Sequence, residues 1–134
     1  EWMAIHRAIL DLEPENYEAL VALGKGHYEQ EEDEEAERVL RAAIELDPSR
    51  PAAHHQLGVL LQARDDDAGA LRSFAIVLLA DPQHVGALFG TAMSLEAIGS
   101  RKAKDAWRAY LRVAVNVADQ DEWVATARAR LAAL

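Results

Sequence analysis

Apolar residues along this chain recur at helical spacing, and they come as paired stripes. Leu20, Leu23, Gly24 and His27/Tyr28 form one stripe, and Ala36, Val39, Leu40, Ala43 and Ile44 form its partner. The acidic run from Glu29 to Glu35 separates the two. The arrangement returns as Leu57, Gly58 and Leu61, then Ala70, Phe74 and Val77, with Asp65-Asp66-Asp67 between them. It returns once more as Leu88, Ala92 and Leu95, then Ala103, Trp107, Tyr110 and Leu111, with Gly99-Ser100 between. Each pair predicts two antiparallel helices joined by a short turn. No run alternates with period two, so no sheet is expected.

Three prolines punctuate this pattern. Pro14, Pro48 and Pro82 lie 34 residues apart, and each closes a version of one phrase: ILDLEP, AIELDP and LLADP. An X-Pro pair disfavours helix at the preceding residue, so each phrase ends one helix pair and clears the way for the next. Two equal intervals with matching flanks predict an internal repeat.

The flanks fit the same scheme. Residues 2–12 align with a second helix whose first helix is missing, which leaves Trp2, Ile5, Ile9 and Leu12 with half a partner. With Glu1-Trp2 at the start and no initiator Met, the expectation is a fragment of a longer array continuing upstream. The segment Glu122–Leu134 places Trp123, Ala127, Leu131 and Leu134 on one stripe with Arg128 and Arg130 outside. It reads as a terminal cap, or else as a further first helix.

Laid out unit by unit, these residues resemble the tetratricopeptide repeat, with its W-x2-L-G-x2-Y…A-x3-F…P signature. The first unit supplies Leu20, Leu23, Gly24, His27, Ala36, Leu40, Ala43 and Pro48. The second supplies His54, Leu57, Gly58, Leu61, Ala70, Phe74, Val77 and Pro82. The third supplies Leu88, Thr91, Ala92 and Leu95, then, after a one-residue deletion, Ala103, Trp107 and Tyr110, and it lacks the closing proline. The resemblance implies an all-α fold, an antiparallel helix-hairpin solenoid wound as a right-handed superhelix with a C-terminal capping helix. The expected divisions are 1–14 for the incomplete repeat, 15–48, 49–82 and 83–118 for the three units, and 119–134 for the cap. Gly24 and Gly58 are expected to let the first helix of a unit approach the small Ala36 and Ala70 of the second.

Composition narrows the partners. The chain has 134 residues and a formal net charge of −9, which argues against nucleic acid, because phosphate binding needs clustered Lys and Arg. The charge is graded: residues 1–48 carry 14 acidic and 4 basic groups, whereas 83–134 carry 5 and 7. There is no cysteine, hence no disulfide or thiol chemistry. Apolar stretches such as 74–80 are far too short to cross a bilayer. The Ala- and Arg-rich style suggests a bacterial chain, and the localisation is unknown from sequence.

No catalytic constellation emerges, so the expectation is a non-enzyme with no cofactor. Gly24-Lys25-Gly26 lies inside a predicted helix and follows no strand, so it is not a phosphate loop. His54 and His55 point about 100° apart on a helix and cannot share a metal unaided, and no i, i+4 histidine pair exists; no metal site is expected. Glu31–Glu35 reads as a solvated, capping edge, with Asp33 as the cap of the following helix.

What remains is a groove. In the family that this chain resembles, the first helix of each unit lines a concave face where ligands bind. The positions carried over are Val21, Lys25 and Tyr28 in the first unit, His55, Val59 and Gln62 in the second, and Phe89, Met93 and Glu96 in the third. Val59, Phe89 and Met93 are expected to be apolar anchors that the helix-pair core leaves free, with Lys25, His55, Gln62 and Glu96 setting register. The carboxylate-clamp positions of the family's co-chaperones fall on Val21, Lys25, Gln56, Gly86 and Gly90, a set that does not reproduce the clamp. The expected function is a protein-interaction module binding a peptide or amphipathic helix, with the groove either open or filled by the C-terminal helix. The alternative is an assembly module that docks another copy through residues 2–12.

Overall fold

The computed structural model describes residues 2–134, and every regular element among them is an α-helix. In chain order these are α1 (Trp2–Leu12), α2 (Tyr17–Glu29), α3 (Asp33–Leu46), α4 (Pro51–Ala63), α5 (Asp67–Ala80), α6 (Val85–Ala97), α7 (Ala103–Ala114) and α8 (Asp121–Ala133). Helices α2, α4 and α6 begin at residues 17, 51 and 85, so the proline period is also the structural period. Each helix packs on the next in sequence, and α4 also touches α2 and α6 directly. The first helices of successive pairs therefore line one face, and the second helices form the other. This is the geometry of a solenoid in which each unit meets only its neighbours.

The helix boundaries have local causes. Asn16 caps α2 by accepting the Ala19 N–H at 2.9 Å, and Asp66 caps α5 by accepting the Gly69 N–H at 2.9 Å. Pro51 opens α4, where its missing N–H costs nothing and its fixed φ suits the first turn. The cap expected from Asp33 is not made. Asp33 is the first residue of α3, Glu32 holds the cap position, and no side chain there bonds the backbone. Asp33, Glu34 and Glu35 instead lie in the first turn, where the helix dipole favours negative charge.

The turns within the pairs share one motif. Glu31, Asp65 and Gly99, again 34 apart, adopt left-handed backbone with φ of 61°, 61° and 69°. In each case the next residue's N–H reaches back five positions, from Glu32 to His27 O, Asp66 to Leu61 O and Ser100 to Leu95 O, at 2.8 to 2.9 Å. This is the Schellman closure, which satisfies helix-end carbonyls and prefers glycine at its left-handed residue.

The core is three connected clusters. Met3, Tyr17, Leu20, Leu23, Val39, Ala43 and Ala53 join α1 through α4. The middle cluster, from α3 to α6, centres on Leu40, Leu57, Leu60, Phe74 and Val77. The third joins α6 to α8 through Ala92, Trp107, Tyr110, Ala114, Val124 and Ala127. The seam from α1 to α4 also carries a polar pin. The Tyr17 phenol donates to Arg50 O at 3.3 Å and accepts the Ala53 N–H at 2.9 Å.

The glycine contacts differ from expectation. A Cβ on Gly24 would meet Leu40, and one on Gly58 would sit 2.7 Å from Phe74 Cε1. Ala36 and Ala70 are fully buried nearby, yet the longer side chains one turn on fill the space that glycine clears. In α8 the buried residues are Val124 and Ala127, while Trp123 and Leu134 remain half to two-fifths exposed. On α1 only Met3 is buried, and Trp2, Ile5 and Leu12 of the expected stripe are exposed. Glu1, the first residue of the expected half unit, lies outside the described residues.

Candidate functional site

The face made by α2, α4 and α6 carries a cleft of about 320 Å³ toward its C-terminal end. His55 and Val59 of α4 form one wall, and Val85, Gly86 and Phe89 of α6 form the floor. Tyr110 of α7, Gln120 just before α8 and Trp123 of α8 close the far side. Three of the nine residues expected in a groove, His55, Val59 and Phe89, are thus brought together here.

The other six are placed elsewhere. Val21 packs against the first cluster and Tyr28 against the middle one, both half-buried. Lys25 is exposed, with its ammonium 4.0 Å from Glu29. Gln62 spends both amide hydrogens within the fold, on Gly90 O and Ser94 Oγ, each at 2.9 Å. Met93 packs into the third cluster. Glu96 accepts the indole N–H of the fully buried Trp107 at 2.8 Å and pairs with Arg130 of α8 at 2.9 Å. Burial would raise the Glu96 pKa, but Arg130 and Trp107 outweigh it and hold the carboxyl below its usual range.

Phe89 corrects a second expectation. Its ring stands edge-on to Trp107, Tyr110 and Trp123, with centroids 5.1 to 5.2 Å apart. The core does claim this side chain, because α7 and α8 fold back over α6 and bring three aromatic rings to it. A charge at Phe89 would strike the third cluster. The C-terminal helix therefore borders the groove through Trp123 without filling it.

The cleft is polar only at its rim, and it holds no formal charge. His55 is pressed by burial, and then by His84 with ring centroids 4.8 Å apart, so its pKa falls from 6.5 to about 4 and the ring is neutral at neutral pH. His84 is itself committed: its Nδ1 accepts the Ala87 N–H at 3.0 Å and caps α6. That bond needs an Nδ1 lone pair. Tyr110, whose pKa is raised by burial, donates its phenol proton to Gln120 Oε1 at 2.8 Å.

Val85 and Gln120 escaped sequence reasoning. Val85 begins α6, where the helix pattern marks it as an end residue. Gln120 sits in the link before α8 and reaches the cleft only because that helix wraps back, which no local pattern reports. Tyr110 and Trp123 were legible as core and cap residues, and their second role at the cleft was not.

Other chemistry is sparse. His54 donates to or accepts nothing in the cleft; its Nε2 bonds Pro48 O at 2.8 Å. Among the described residues no group of three or more His, Cys, Asp or Glu could hold a metal ion. No helix among them is long and apolar enough to cross a membrane.

Known proteins add a fold and a repeat type. A family model described as TPR repeat matches residues 24–64. No curated protein matches the chain. Among solved structures, the type III secretion translocator chaperone SycD of Yersinia enterocolitica superposes with a TM-score of 0.80 at 22% identity, over 88% of this chain and 89% of that one. PcrH of Pseudomonas aeruginosa gives 0.80 at 24% identity, over 87% and 89%. MamA gives 0.82 at 18% identity, over 96% and 72%. At these identities the likeness is one of fold. SycD has been solved with a peptide of the translocator YopD and PcrH with the chaperone binding region of PopD. SycD has also been seen as an alternative dimer.

Proposed function

We propose that the chain, whose residues 24–64 match the TPR repeat, is a tetratricopeptide-repeat array serving as a non-enzymatic protein-interaction module that binds a peptide segment of another protein on the α2–α4–α6 face. In this reading residues 15–48, 49–82 and 83–118 are the three units, with a half unit before and a cap after. The observation that carries it is the uncharged cleft between α4, α6 and α8, walled by Val59, Phe89 and Trp123 and rimmed by neutral polar groups. Apolar, concave and bordered by a few oriented polar atoms is the usual character of a recognition site. The peptide-bound forms of SycD and PcrH support the same use of the fold. Phe89 and Val59 are the anchors in this proposal; Lys25 and Tyr28 lie along the same face toward its N-terminal end.

The test is peptide selection from a displayed random library on the wild-type chain and on Val59→Glu/Trp123→Glu, with melting curves run on both. Wild-type binders should share an apolar residue and be lost on the variant at similar melting temperature. Equal recovery on a folded variant would place binding away from the cleft.

A second reading has its own observation. Trp2, Ile5 and Leu12 on α1 are 42%, 61% and 86% exposed, an apolar edge suited to docking a second copy. Sedimentation of the chain against Ile5→Glu/Leu12→Glu separates the two: association that the variant abolishes favours the assembly module.

A further inference from the structure

We propose that Gln120 is an oriented amide donor of the groove, and that the ligand it selects is an extended stretch whose main-chain carbonyl takes the Gln120 amide while an uncharged apolar side chain fills the cleft. This rests on the groove reading above and specifies what the groove accepts.

The amide is oriented by the fold. Tyr110 is fully buried, and its phenol has one hydrogen-bond partner, Gln120, at 2.8 Å. A buried hydroxyl must place its proton. Only the Gln120 carbonyl can receive it, so Oε1 faces Tyr110 and the NH2 group faces the other way. That NH2 group has no bond within the fold among the described residues, and Gln120 lines the cleft beside Val85, Phe89 and Trp123.

The cleft lining also offers the N–H of the neutral His55 ring and the first N–H groups of α6 at Val85 and Gly86, but Gln120 is its one side-chain amide with both N–H groups unspent. The Gln62 amide is spent on Gly90 and Ser94, and the Glu96 carboxylate on Trp107 and Arg130. Two free N–H groups beside an apolar hollow call for an acceptor next to an apolar side chain. A main-chain carbonyl provides that, provided it is not already bonded. The interior carbonyls of a helix are bonded to their own helix, whereas those of an extended chain are open. The donor therefore favours an extended ligand over the interior of a helix. Charge is disfavoured separately: no charged side chain lines the cleft, so a carboxylate or ammonium seated there would lose hydration with no ion partner to offset it.

The experiment is an amide NMR titration of the full ¹⁵N-labelled chain with acetyl-Ala-Leu-Ala-amide, and with acetyl-Ala-Asp-Ala-amide as its charged counterpart. The leucine peptide should move the Gln120 side-chain NH2 pair together with the Val59 and Gly86 amides, and the aspartate peptide should move none of them. Gln120→Leu should weaken the leucine peptide by about three- to tenfold, the worth of one hydrogen bond. Gln120→Glu keeps the shape, reverses the polarity and should weaken it further; both variants are checked for cooperative melting, with Gln120→Leu expected to melt lower because it leaves the Tyr110 hydroxyl without its acceptor. If Gln120→Leu binds as tightly as the parent while Val59 and Gly86 still shift, the donor assignment falls and the groove stands. If the aspartate peptide binds equally well, the selectivity falls. If neither peptide moves Val59 or Gly86, the groove reading falls and this proposal with it.

Discussion

Replacing Gly58 by alanine adds one methyl group to the buried face of α4, and the outcome depends on Phe74. A Cβ there would lie 2.7, 2.9 and 3.0 Å from Cε1, Cδ1 and Cζ of a ring that is completely buried. The ring has little room to retreat, because it is fully buried and a Cβ on Gly90 of α6 would also press on it, at Cζ and Cε2. Two effects then compete. Alanine is favoured over glycine inside a helix by about 1 kcal/mol. Overpacking a filled core costs about 1–3 kcal/mol. With the ring trapped between two helices the upper part of that range applies, for a net loss of about 1–2 kcal/mol. At this chain length that is a fall of roughly 4–8 °C in melting temperature. Urea unfolding should show the loss in the midpoint with an unchanged slope. A double-mutant cycle with Phe74→Leu isolates the cause: the shorter side chain should remove the alanine penalty, giving a coupling of about 1 kcal/mol or more. A Gly58→Ala protein as stable as its parent, or a coupling near zero, would refute the idea that this glycine exists to admit the ring.

Two further outcomes follow from the backbone and the histidines. Glu31→Gly and Asp65→Gly should each stabilise the chain by about 0.5–1 kcal/mol, since the left-handed cost of a side chain exceeds the entropy that glycine loses, and Gly99→Asp should do the reverse; urea midpoints measure all three. His55 makes stability sensitive to acid. Its folded pKa of about 4 lies below the ordinary 6.5, so the unfolded chain takes up a proton first as pH falls. Its contribution is complete above 6.5 and is lost as pH drops from 6.5 toward 4. His55→Gln should flatten the stability profile in that window, as read from urea midpoints. Glu18, Glu35 and Glu37, held below the ordinary 4.5 by their arginine partners, add losses only at lower pH.

Much of the fold was legible because repetition makes the chain its own control. The proline interval, the paired stripes and the acidic first turns recur in register, and the helices begin where they predict. Gly99 carried a signal that was there to be found: it marks the left-handed turn residue that Glu31 and Asp65 occupy in the other pairs. The contact partners were less legible. Helical spacing says that Gly58 faces the second helix of its pair, but not that Phe74 rather than Ala70 reaches it, since reach depends on side-chain length and rotamer. The candidate site was legible only in part. His55, Val59 and Phe89 line one cleft. Gln62, Met93 and Glu96 were drawn into bonds and packing, because α6, α7 and α8 crowd around the same face. Gln120 was out of reach for a simpler reason: its place is decided by how the last helix lies on α7.

The Phe74 side chain has a consequence for how the molecule comes apart. It belongs to α5, yet it is held by α4 on one side and α6 on the other. In an ideal array of repeats each unit could peel away alone, at the cost of one interface. Here, peeling α6 to α8 from the end would strip one wall from a ring that anchors the middle cluster, so the two regions share one opening event. Amide protons of α4 and α5 should then exchange at rates tied to those of α6. By this reasoning a single aromatic ring ties the opening of one half of the chain to that of the other.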